Sequence, residues 1–243
     1  MSDLAAPPFA AIRALPVIEI GYRTAGAFLM AYATQVAKGE LFIDTPTWPP
    51  LGTPVALRIS VPPGTTLALE GVVAFSREAR PGDPAGMGVT LTAPSESFLS
   101  TVDRLAAGFG GFRVLLGTGE AAPRAILGKY LRSIFACTVL DLDAEAEGSQ
   151  DTGPIDLAVI DIDSTGPRGF EAGERLRQRP RPAPMIALAQ LERDRALALK
   201  LGFDASIANP PAIAEIEAAV RRVIARAVNV HHATKYGTLK GYA

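Results

Sequence analysis

The stretch Asp156-Leu-Ala-Val-Ile-Asp-Ile-Asp-Ser-Thr-Gly-Pro-Arg-Gly-Phe-Glu-Ala-Gly-Glu-Arg-Leu-Arg177 decides the fold of the second half of this chain. It opens with a near-continuous apolar run over 156–161 that ends in an acid. Such a run fits a strand buried on both faces, as in a parallel sheet. Loop residues follow, and then a helical pattern over 169–177. A strand, a loop carrying carboxylates and a return helix make one βα unit, and doubly wound sheets place ligands at that carboxyl edge.

The same alternation continues on both sides. Upstream, 113–116 is a buried strand, 121–135 is helical with Ile126, Leu127, Tyr130, Leu131 and Ile134 on one stripe, and 138–142 is a strand. Residues 144–153 are acidic and polar, with little room for a full helix. Downstream, 184–189 is a strand, 192–201 a helix stopped by Gly202, 205–208 a short strand and 212–228 a long amphipathic helix. This β-α repetition predicts a doubly wound parallel sheet over 112–228. The tail, 229–243, shows no apolar period.

Before Phe109-Gly110-Gly111 the chain has another character. Prolines and glycines punctuate short apolar runs at 17–20, 27–32, 41–45, 55–61, 67–75 and 86–92. Strands at this spacing predict a small antiparallel barrel or sandwich over 17–108. Ser95 is placed to cap a helix over 97–107, where Phe98, Val102 and Leu105 recur at helical spacing. Residues 1–16 read as a short arm; they have no basic n-region and are broken by prolines, unlike a signal peptide. The expectation is two domains, an all-β barrel ending in a helix and an α/β domain, joined by the short linker 108–111.

Composition narrows the functions. The chain has 243 residues, 48% of them hydrophobic and 20% charged, with a formal net charge of −1. That balance gives no basic field to gather nucleic acid or anionic lipid. No run approaches the ~20 apolar residues of a membrane span. The single cysteine, Cys137, excludes an internal disulfide and fits a reducing, cytoplasmic compartment. It sits in an apolar run, where a small buried hydrophobe is expected.

The 156–177 stretch resembles the third strand, loop and helix of response-regulator receiver domains, and the resemblance extends over about 112–227. It implies that Asp161 stands at the phosphoacceptor position. That chemistry uses Mg²⁺, which takes several oxygen ligands. The family's acid pair after the first strand falls on Thr118 and Gly119, with Glu120 next door. Its hydroxyl residue after the fourth strand falls on Ala189, its lysine on Asn209 and its aromatic switch residue on Ser206. One of five functional positions matches, with Asp163 and Glu120 the nearby acids. Asp161 is therefore expected to be an inactive phosphoacceptor-like residue, with no metal and no cofactor.

The segment 32–45, with 51–57, 69–73 and 86–89 in order, resembles a PilZ-like domain. Such domains bind cyclic di-GMP through an R-x-x-x-R pair and a [D/N]-x-S-x-x-G turn. Here the turn positions read Gln35, Ala37 and Glu40, and Arg13 and Arg23 stand alone. If a dinucleotide bound, Arg23 and Lys38 would be the cations.

Other features carry less. Gly117-Thr118-Gly119 lacks the ending of a phosphate loop. His231-His232 has no neighbouring carboxylate. Arg175, Arg177, Arg179 and Arg181 form either a solvated loop or a basic rim, and Trp48 is either a lid on the barrel or a binding anchor. Both halves keep their cores and lose their small-molecule residues. The expected function is a non-catalytic bacterial signalling adaptor, in motility or polarity control, that binds signalling proteins or a second copy of itself through 190–203 and the last helix. The alternatives are a cyclic di-GMP effector with a non-standard site and a regulator phosphorylated on Asp161.

Overall fold

A computed structural model of the chain describes residues 15–80, 84–142, 154–179 and 182–233. The first lobe is built on strands β1 (Val17–Gly21), β2 (Glu40–Asp44), β3 (Pro54–Val61), β4 (Thr65–Arg77) and β5 (Gly86–Leu91). A further strand, β11 (Val228–Ala233), joins them to give the order β11-β1-β3-β4-β5-β2. β1 and β3 run parallel; the other pairs are antiparallel. The end strands β11 and β2 come into contact without pairing, so the sheet curls toward a barrel with an open seam.

Two helices pack on this sheet. α2 (Glu96–Ala107) follows β5 as expected, and Ser95 Oγ accepts from Phe98 N at 3.2 Å. The other corrects the all-β expectation: the apolar run 27–32 lies in helix α1 (Ala25–Thr34), which buries Ala27, Phe28, Met30 and Ala31. Thr24 caps it by accepting from Ala27 N. A continuous apolar run has no period with which to declare itself, so the cap and the packing decide.

The second lobe holds β6 (Phe112–Gly117), β7 (Cys137–Asp141), β8 (Leu157–Asp161), β9 (Met185–Leu188) and β10 (Ala205–Ile207), all parallel in the order β7-β6-β8-β9-β10. With β6 as first strand this is 2-1-3-4-5, the flavodoxin-like order of doubly wound sheets. Helices α3 (Ala121–Ile134), α5 (Pro167–Arg177), α6 (Glu192–Lys200) and α7 (Ile213–Ile224) flank it, with a single turn, α4 (Ile162–Thr165), after β8. Leu157, Ala158, Val159 and Ile160 are wholly buried, as the both-faces-apolar run requires. The polar stretch 144–153 lies outside the described residues.

The two lobes are not separate. One apolar cluster runs from Ile18, Phe28 and Ile59 through Phe112 and Leu131 to Val220 and Ile224. Gly26 on α1 lies so close to the linker that an added Cβ would stand 2.7 Å from the Phe109 ring, and Phe109 packs edge-on against Phe112. The tail expectation is also corrected. Residues 228–233 pair with β1, whose outer edge would otherwise carry unpaired backbone groups. Val230 packs against the core. Two alternating valines were too short a signal to read. The docked first lobe meets the amino ends of the parallel strands, leaving the carboxyl ends of β6, β8, β9 and β10 for a site.

Candidate functional site

Asp161 ends β8 with its side chain 3% exposed among the strand-end loops. Its Oδ1 accepts from Ser164 N at 3.3 Å, capping the α4 turn, and from Asn209 Nδ2 at 3.0 Å. Asn209, from the loop after β10, donates from the same nitrogen to Asp163 Oδ2 at 2.9 Å. That oxygen also accepts from Gln190 N, after β9, at 2.8 Å. Ser164 Oγ accepts from Gly119 N, after β6, at 2.9 Å. Four loops are thereby tied together by side chains of the β8–α4 segment and by one amide.

The positions assigned to the acid pair hold different chemistry. Thr118 is buried, and its hydroxyl donates to Glu120 O. Arg124, one turn into α3, donates to Thr118 Oγ1 and Thr118 O and pairs with Asp141 at the end of β7. A guanidinium thus sits beside the place where two carboxylates would gather a cation. Gly119 is closed sterically: an added Cβ would lie 2.2 Å from Ser164 O. Glu120 is exposed at the start of α3 and makes no capping bond. Ala189 is buried directly after β9, Ser206 is the middle residue of β10, and Asn209 follows β10. Among the described residues no three His, Cys, Asp or Glu side chains gather as a metal site.

The nucleotide candidates do not converge. Arg23 is drawn to the second lobe, with Nη2 3.8 Å from Asp204 Oδ1 and Nη1 buried without a partner among the described residues; burial lowers its pKa. Lys38 is exposed in a 3₁₀ turn (Val36–Lys38), and among the described residues the two cations share no hydrogen-bond or ion-pair partner. Gln35 Oε1 accepts from Phe42 N at 2.8 Å, and the left-handed residue of the turn is Gly39 (φ 79°), one before Glu40. Arg23 lines a cleft of about 410 Å³ at the β2–β11 seam, with Asp44, Thr45, Pro46, Arg226 and Val230. Arg226 pairs there with Asp44 and, at 3.9 Å, with Asp204. Arg13 and Arg181 lie outside the described residues.

Other singled-out residues are settled by packing. Trp48 packs on the core, as a lid would. His231 stands opposite Glu19 in the β11–β1 ladder. Cys137 begins β7, and burial pushes its thiol pKa up. Sequence reading missed Asp156, a carboxylate 7% exposed at the start of β8 that accepts from Thr24 Oγ1 at 2.5 Å and Arg113 N at 2.9 Å, joining the lobes. Within the 190–203 segment expected to meet partners, Leu191, Leu197, Leu199 and Leu201 are each 41–45% exposed, and Ile213, at the start of α7, is 46% exposed.

No protein-family model matches this chain, and no curated protein does. Solved receiver domains match about half of its length. The receiver domain of a sensor histidine kinase from Pseudomonas aeruginosa, solved with magnesium coordinated in its active-site cleft, is 23% identical over 47% of this chain and 98% of its own, with a TM-score of 0.41. A signal receiver domain of a histidine kinase from Syntrophus aciditrophicus is 20% identical over 46% of this chain and 89% of its own, at 0.40. A CheY-like receiver domain from Methylobacillus flagellatus is 20% identical over 46% and 98%, at 0.40. Among the described residues no helix is long and apolar enough to cross a membrane.

Proposed function

We propose that this chain is a cytoplasmic bacterial signalling adaptor in which a PilZ-like lobe and a pseudo-receiver lobe act as one protein-binding body, without catalysis. The observation that carries the reading is the closed strand-end network. Asp161 is held by Asn209 and Ser164, Thr118 is covered by Arg124, and Gly119 has no space for a side chain. Mg²⁺ takes several oxygen ligands in tight octahedral geometry, and the two positions that would supply the acids supply none. The neutral amide of Asn209 also offers no charge to offset an added phosphoryl group.

Binding then falls to surfaces. The exposed leucines on and around α6 (Leu191, Leu197, Leu199 and Leu201), with Ile213 at the start of α7, are apolar side chains that suit a protein partner or a second copy. Motility and polarity control are the settings in which such paired modules fit. The test has two arms on the full chain. Acetyl phosphate with Mg²⁺ is expected to leave the intact mass unchanged; an adduct lost in Asp161→Ala overturns the reading. Leu197→Asp with Leu201→Asp is expected to abolish concentration-dependent association, read by sedimentation, or binding of a partner found with the parent chain.

A further inference from the structure

The cleft at the open seam between β2 and β11 takes its walls from both lobes. Arg23, Asp44 and Pro46 come from the first lobe, Arg226 from just after α7, and Val228 and Val230 from β11. Its volume of about 410 Å³ is at the small end of ligand pockets, which run from about 300 to 1,000 Å³. The polar groups in it are unevenly matched. Asp44 is paired with Arg226. Asp204 Oδ2 accepts from Met185 N at 2.9 Å. Asp204 Oδ1 lies 3.8 Å from Arg23 Nη2 and 3.9 Å from Arg226 Nη1, beyond hydrogen-bond reach of either. Arg23 therefore makes no hydrogen bond among the described residues, and its Nη1 is buried. A desolvated charged donor without an acceptor is costly, yet this one is kept at the wall of a cleft.

What the cleft lacks is an acceptor. A guanidinium offers five N–H donors in a planar fork that matches a carboxylate or a phosphate. Asp44 separates these two. It stands in the same wall, so a dianionic phosphate would meet it as a like charge. A carboxylate brings a single charge to a guanidinium whose one carboxylate neighbour is shared with Arg226. Pro46, Val228 and Val230 add apolar wall, which suits a hydrocarbon body better than a sugar or a base.

We infer that this cleft binds a small monocarboxylate with an apolar body, the carboxylate on Arg23 and the body against Pro46, Val228 and Val230. The inference goes beyond the adaptor reading by giving the lobe junction a ligand. It shares no residue with the leucines around α6, so the two are tested by different variants. The probe is sodium hexanoate titrated into the full chain at constant ionic strength, followed by the broadening of its methyl resonance. Saturable binding is expected, tighter than that of acetate by about ten-fold or more for the added methylenes. Arg23→Met should weaken it by about ten-fold or more. That variant gives up no hydrogen bond within the described residues, so its urea midpoint should hold. Asp44→Asn removes a like charge from the wall and releases Arg226, so it should tighten hexanoate and admit phosphate. Unchanged binding in Arg23→Met, or weaker binding in Asp44→Asn, overturns the inference. So does an absence of saturable hexanoate binding, phosphate bound as tightly as hexanoate by the parent chain, or displacement of hexanoate by cyclic di-GMP.

Discussion

Asp156→Ala tests whether the two lobes are one folding unit. The carboxylate is 7% exposed and takes one hydrogen bond from each lobe, from Thr24 Oγ1 and from Arg113 N. Alanine leaves both donors without this acceptor, and each unmatched buried donor costs about 1–3 kcal/mol. Removal also relieves the cost of burying the carboxylate, which offsets part of the loss. The net expectation is about 2–3 kcal/mol lost, a fall in Tm of roughly 5–10 °C for a chain of this size. The assay is urea unfolding followed by far-ultraviolet circular dichroism and by the fluorescence of Trp48 in the first lobe. Both probes should report one transition in the parent and move together in the variant. A loss under about 0.5 kcal/mol, or two separate transitions in the parent, would refute the joined-lobe reasoning. The pH dependence follows. Burial raises the Asp156 carboxyl above its ordinary value, against hydrogen bonds from Thr24 and Arg113 that lower it. The folded state therefore holds that proton more tightly. Its contribution is fully present below the unfolded value of about 3.9 and is lost as pH rises through the folded value. Asp156→Ala lacks that component of the slope.

Two further substitutions probe the joints. Tyr22 is 3% exposed and its hydroxyl finds no partner among the described residues, so Tyr22→Phe removes an unsatisfied polar atom and should be neutral or stabilising by up to about 1 kcal/mol; a destabilisation by chemical denaturation would show that the hydroxyl is bonded. Val230→Asp puts a charge where β11 packs on the core and should release the strand from β1, seen as faster hydrogen exchange at residues 17–21; unchanged protection there would mean that β11 does not cover that edge.

Much of this architecture was legible in the chain itself. The run Leu157–Asp161 could only be a strand buried on both faces, and the βα repetition around it fixed a parallel sheet whose carboxyl edge holds Asp161. The strand pattern also put Thr118 and Gly119 just after β6, Ala189 just after β9 and Asn209 just after β10, because strand ends are set by local pattern. What occupies the site was not legible. The Asn209 bridge to Asp161 and Asp163 spans more than 40 positions in sequence.

Local pattern, then, determined the strands and most of the helices, since hydrophobic period acts over a few positions. Tertiary structure alone decided the rest. It made 27–32 a helix through a cap and a buried face. It turned the start of the tail into a strand because β1 had an open edge, and it rotated Phe75 outward through a register shift set by β5. It fused the lobes through Asp156, Thr24 and Phe112. Each of these depends on what a distant segment brings into contact, and a one-dimensional pattern does not carry that.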